Sequence, residues 1–113
     1  MGHWAYAVEY LNGNGASGMK FVIIGTDGPE GRAKRKKLRP AHLERLKRLE
    51  SEGKLVLAGP FADQSGSLII IEADSIEEAR AFIQKDPYVE QGVFEKVEIR
   101  PFTLVLPERD EGP

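Results

Sequence analysis

The sequence predicts an α+β domain in which a four-stranded antiparallel sheet carries two helices on one face. Three observations lead there. Phe21-Val22-Ile23-Ile24 and Leu68-Ile69-Ile70-Ile71 are unbroken runs of β-branched and bulky apolar residues, the composition of sheet interior. Two other stretches carry helix signals, an apolar stripe through His42, Leu46 and Leu49 and a capping pattern at Ser75-Ile76-Glu77-Glu78. Strands and helices alternate in the order βαββαβ, and a right-handed crossover in each βαβ half interleaves the two into one sheet, the ferredoxin-like arrangement. The 113 residues suit one such domain.

The elements follow in order. Asn12–Gly18 has the composition of a flexible linker, so residues 1–18 read as an N-terminal extension, an upstream start or an added leader. An additional edge strand over Trp4–Leu11 is the alternative. Met19 opens the domain proper, expected to span 19–106, and the polar segment 107–113 reads as a loose tail. The first strand is Met19–Gly25, and Asp27-Gly28-Pro29 signals the turn after it. A helix follows to about Glu52. Pro40 suits a first helical turn, so the firm part is expected to start there, with Leu38 in a looser preceding turn. Gly53 is placed for a left-handed cap. Leu55–Ala58 forms strand two, closed by Gly59-Pro60, and Ser67–Ala73 forms strand three. The second helix runs from the Ser75 cap to about Lys85, where Asp86-Pro87 stops it. A bend over Tyr88–Gly92 leads to strand four, Phe94–Leu104, interrupted at Pro101.

The two apolar runs show no alternation, which implies burial on both faces of the sheet. One helix layer covers one face. The economical cover for the other is an identical sheet, so a homodimer packed face to face is expected. The net charge of −2 gives no global field to recruit nucleic acid or an anionic membrane. No apolar run approaches the roughly 20 residues of a membrane span, and Trp4–Val8 is short and lacks basic flanks, a poor signal peptide. The absence of cysteine excludes thiol chemistry and a disulfide framework and is compatible with a cytoplasmic location.

His42 is the one histidine outside residues 1–18 and the natural centre for proton transfer near neutral pH. Its helical phase lies about 40° from Leu46 and about 20° from Leu49, so the ring faces the sheet. At a helix start the dipole disfavours an extra positive charge, as does burial. The plainer alternative is a core histidine bonded to a backbone carbonyl. Two carboxylates are candidate partners. Asp86 ends the second helix, where it also serves as a stop. Asp27 ends strand one, where it also suits an Asx turn, and topology puts it on the same rim as the first helix. Arg39, one turn before His42, has the fork geometry to hold a substrate carboxylate. Gly59 lets backbone approach a ligand, Ser67 in Ser65-Gly66-Ser67 offers a hydroxyl, and Tyr88 either lines a pocket or plugs the core.

Arg39-Pro40-Ala41-His42-Leu43, Ala58-Gly59-Pro60, Asp86-Pro87-Tyr88-Val89, Gly92-Val93-Phe94 and Ile99-Arg100-Pro101-Phe102 occur in that order. Together they resemble the YciI-like (YCII-related) domain of the dimeric α+β barrel superfamily, over about Met19–Val105. The resemblance implies a ferredoxin-like protomer, a dimer of facing sheets and an active site built on a His–Asp pair. His42 matches the histidine and Asp86 is the best match for the aspartate. Asp27 matches another acidic position after strand one, and Arg39 a basic position before the histidine. Relatives act on small cyclic compounds, by dehalogenation of a chlorinated hydroxyquinol and, further off, by muconolactone isomerisation.

The basic run Arg32, Lys34, Arg35, Lys36, Lys37 and Arg39 has the composition of a nucleic-acid patch. No aromatic residue interleaves it, so it reads as a solvated loop and helix start. A single in-domain histidine without cysteine makes no transition-metal site, and no carboxylate cluster replaces it. The expectation is a small cytoplasmic homodimer acting on a small organic or anionic metabolite by acid/base chemistry, of isomerase, lyase or dehalogenase type. It needs no metal or cofactor and has no nucleic-acid or membrane partner. A non-catalytic small-molecule-binding protein of the same fold is the alternative.

Overall fold

The computed structural model describes residues 19–108, so the expected extension 1–18, with its alternative edge strand, and the end of the tail lie outside the described residues. Strands β1 (Lys20–Asp27), β2 (Leu55–Pro60), β3 (Gly66–Glu72) and β4 (Phe94–Phe102) form one sheet in the order β2-β3-β1-β4. Every neighbouring pair is antiparallel. Helix α1 (Gly31–Ser51) follows β1, and α2 (Ile76–Gln84) follows β3. A four-residue helix α3 (Pro87–Glu90) precedes β4. This is the expected α+β architecture, with α3 added in place of a simple bend.

Alternation along the strands sends Phe21 and Ile23 of β1 and Ile69 and Ile71 of β3 to the helix layer. There they pack with Leu46 of α1 and with Ala79 and Ile83 of α2 into the main core. A second cluster, Tyr88, Val93 and Phe94, fills the end of the sheet beneath α3. The opposite face presents Val22 and Ile24 of β1, Leu68 and Ile70 of β3, and Leu57 of β2. Leu57 is 47% exposed while Ile70 is buried, so part of this apolar surface stays open among the described residues. Pro101 does not interrupt β4. It lies opposite Phe21 on β4, the edge strand of the sheet among the described residues, where proline is tolerated.

Helix α1 departs most from the sequence expectation. It begins at Gly31, nine residues before the expected firm start, and Pro40 lies inside it. An interior proline forfeits one helical hydrogen bond, at a cost of roughly 3 kcal/mol. Tertiary anchors hold the early turns despite this. Arg35 is bonded to β1 and β3, and Leu38 packs on the second cluster. The start is also tight: a Cβ on Gly31 would lie 2.8 Å from Val93 O and 2.9 Å from Asp27 Cβ. At the other end Gly53 takes a left-handed φ of 77°, as expected of a helix-terminating glycine.

Candidate active site

Three elements converge on the histidine. Helix α1 turns His42 inward, 6% exposed. Between α2 and α3 the chain extends at Asp86 (φ −76°, ψ 137°), and Asp86 caps α3, Oδ1 accepting from Tyr88 N–H at 2.9 Å. Pro87 supplies a first helical residue whose N–H would be unpaired anyway. The stop signal read in Asp86-Pro87 and the carboxylate suited to the histidine are thus one feature. The cap fixes the direction of the carboxylate, and Oδ1 lies 2.8 Å from His42 Nδ1. Asp86 has no exposed surface. Its Oδ2 accepts from Arg45 Nη1 at 3.2 Å, and Arg45 also donates to Phe82 O at 2.9 Å with its guanidinium over the Phe82 ring.

These bonds favour one tautomer. With Asp86 as a carboxylate, both its oxygens are acceptors, so His42 Nδ1 is the donor in the shared bond and Nε2 is the nitrogen free of Asp86. Tyr88 stacks on the imidazole with centroids 3.8 Å apart and planes 6° from parallel, which locks the ring. His42 and Tyr88 both line a cavity of about 650 Å³ running beneath α1 and bounded by β2 and the start of β3. That size suits a small organic ligand. Tyr88 is 1% exposed and belongs both to the wall and to the second core cluster. Burial pushes its phenol above the usual tyrosine range, against the pull of the Arg35 and Arg39 cations.

The remaining candidates fall into two groups. Asp27 and Ser67 line the cavity but are held by Arg35. The Arg35 guanidinium donates to both Asp27 oxygens, at 3.0 and 2.9 Å, and to Ser67 Oγ at 2.9 Å. Asp27 is therefore engaged by Arg35, while Asp86 is the carboxylate beside His42. The same hydrogen bonding raises Arg35 above its already high arginine range and keeps it charged. Arg39 is exposed and lines the cavity, as does Gly59. Gly59 pairs with Leu68 on the outer face, so it offers the cavity backbone rather than a space left by a missing side chain. Among the described residues no group of three or more histidine, cysteine or acidic side chains could hold a metal ion, and no helix is long and apolar enough to cross a membrane.

One expectation about His42 changes. With α1 starting at Gly31, His42 lies about three turns into the helix. The dipole acts mainly over the first turn, so burial and Asp86 govern the ring. The longer helix also reveals what sequence reasoning missed. Arg35 precedes His42 by seven residues and Arg45 follows it by three, both on the His42 face of one continuous helix. That phase was the available signal, and a helix starting at Pro40 hid half of it.

A His–Asp pair between these two helical segments, in this sheet order, is what the motif set led one to expect, and the family model for the YCII-related domain matches residues 19–103. The chain belongs to the YCII-related domain family. Within it, Protein YciI of Escherichia coli is 41% identical over 98 residues, which cover 78% of this chain and all of that protein. An uncharacterized protein of Haemophilus influenzae is 36% identical over the same shares of each chain. Among solved structures, the family fold recurs in 5-chloro-2-hydroxyhydroquinone dehydrochlorinase (TftG) from Burkholderia phenoliruptrix, in complex with 2,5-dihydroxybenzoquinone. It superposes with a TM-score of 0.68 at 29% identity, covering 75% of this chain and 94% of that one.

Proposed function

We propose that this chain is an acid/base enzyme acting on a small organic substrate, with His42 as proton donor and acceptor through Nε2. The observation that carries the reading is the buried His42 Nδ1–Asp86 Oδ1 contact of 2.8 Å at the wall of an open cavity. Asp86 orients the ring, fixes its tautomer and stabilises positive charge that develops on it during proton transfer. Arg39, on the wall one turn away, holds an anionic or phenolic oxygen of the substrate, and Asp27, Ser67, Tyr88 and the Gly59 backbone complete the binding surface. The dehydrochlorinase with the same fold supports proton-transfer chemistry of isomerase, lyase or dehalogenase type. The rival reading, a binding protein without turnover, draws no support from a separated pair or a plugged pocket.

The active unit in this reading is a homodimer. Val22, Ile24, Leu57, Leu68 and Ile70 form a continuous apolar patch on the sheet face away from the helices, and a second copy of that face is its natural complement. A reducing cytoplasm suits the cysteine-free chain.

The test is a panel of halogenated hydroquinones, lactones and cyclic acids incubated with the protein and read by mass spectrometry. At least one compound is expected to be converted. His42→Ala is expected to lower kcat for it by about 10²–10⁴-fold, the usual worth of a positioned acid/base. Undiminished turnover in His42→Ala contradicts the assignment.

A further inference from the structure

We propose that the ligand of this cavity is an organic acid carrying at least two anionic groups on one hydrocarbon body, an inference that rests on the cavity being the substrate site. The chain has a net charge of −2, yet the cavity wall gathers Arg32, Arg35, Lys36, Arg39 and Lys47 against the carboxylates Asp27 and Glu50. Asp27 is spent on Arg35. Among the described residues, Arg32, Lys36, Arg39 and Lys47 have no carboxylate within 4.0 Å. Among the described residues these four cations are left without an ion pair, and Glu50 is the only other acid on the wall.

The cations are ordered along α1. Positions 32, 36, 39 and 47 lie about 60–140° round the helix from the buried His42, along one exposed flank that borders the cavity. With a rise of 1.5 Å per residue, Arg39 lies about 4.5 Å, Lys36 about 9 Å and Arg32 about 15 Å from His42 along the axis on one side, and Lys47 about 7.5 Å on the other. One acidic group could engage one or two of these side chains. Using the strip on either side of the reacting centre takes a second. Between the cations the wall is apolar, with Leu43, Leu46, Leu55, Phe61 and Ile69, which suits a carbocyclic or branched hydrocarbon body and not a bare inorganic anion. The basic run that read as a solvated surface in the sequence becomes, on a helix begun at Gly31, one wall of the site.

Calorimetric titration at low ionic strength with benzoate, benzene-1,3-dicarboxylate and benzene-1,3,5-tricarboxylate tests this. The dicarboxylate is expected to bind about tenfold or more tightly than benzoate, the worth of one added charge-assisted hydrogen bond. Arg32→Gln/Lys36→Gln is expected to abolish that gain. Lys37→Gln/Arg48→Gln removes equal charge from exposed positions of the same helix outside the cavity wall and is expected to retain it. Equal affinity for the mono- and dicarboxylate overturns the proposal, as does a gain that survives in Arg32→Gln/Lys36→Gln. Tighter binding of a short DNA duplex that displaces the dicarboxylate also overturns it, in favour of a phosphate-backbone surface. His42→Gln separates the two readings, because it removes the proposed acid/base while keeping every cation of the strip, so the dicarboxylate should still bind more tightly than benzoate. If it does so with turnover unchanged, the catalytic reading fails and the ligand class stands.

Discussion

Asp86 accepts three hydrogen bonds, from His42, Arg45 and Tyr88 N–H, and has no exposed surface. Its removal should therefore be felt in both stability and chemistry. Asp86→Ala deletes a helix cap worth about 1 kcal/mol and leaves buried donors unpaired, so urea unfolding should show a loss of about 3 kcal/mol or more. Asp86→Asn keeps the cap, because asparagine caps as well as aspartate. It should lose less stability while its turnover still falls by about tenfold or more, through loss of the carboxylate that orients the imidazole. Arg45→Met strips Oδ2 of its partner and should cost about 1–3 kcal/mol in the same measurement. Tyr88 makes a pH prediction. Its phenol is held above the ordinary tyrosine range by burial. The stability this represents is complete below the unfolded tyrosine value of about 10 and is lost as pH rises through the folded value. Unfolding midpoints should decline more steeply above about pH 10 in the wild type than in Tyr88→Phe, and parallel declines would contradict the assignment.

Helix α1 supplies His42, Arg35, Arg45 and the cationic strip, so its true extent determines the site. Pro40 is exposed and interior. Pro40→Ala should restore one backbone bond and raise stability by about 1–2 kcal/mol in thermal melts. If α1 began at Pro40, the proline would be in its favoured first turn and the same change would be neutral or harmful. Much of the fold was legible because it rests on local signals. Ser75 Oγ does accept from Glu78 N–H, although Glu78 reaches back to Asp74 N–H, one residue before the cap. The proline rule failed at α1 because the bonds from Arg35 to Asp27 and Ser67, made 8 and 32 residues away in sequence, outweigh local preference. Helix α3 is a single turn capped locally by Asp86, and it went unseen because the same Asp-Pro pair reads in the sequence only as a helix stop. In the site, helical phase turned His42 inward. Spacing left Asp27 and Asp86 both open as its partner, and the choice of Asp86 came from the family motif. The fold resolves it by linking two segments 44 residues apart.

At the scale of the whole molecule, the sheet separates two tasks. Its helix-facing side carries the core and the site, and its other side carries an apolar patch partly open among the described residues. Charged residues of β4, Glu98 and Arg100, border that patch opposite Ile24 and Val22, giving the apolar centre and polar rim of an interface. Light scattering after size exclusion should give twice the chain mass, and Ile24→Asp, which buries a charge at the patch centre, should give a monomer or an aggregate. A monodisperse wild-type monomer would remove the dimer from the account. The central claim is that His42 and Asp86 act as one catalytic unit, and a double-mutant comparison on a converted substrate tests it directly. Groups that act as a unit are not additive, so His42→Ala/Asp86→Asn should be no slower than His42→Ala alone. Losses that multiply in the double variant would contradict it.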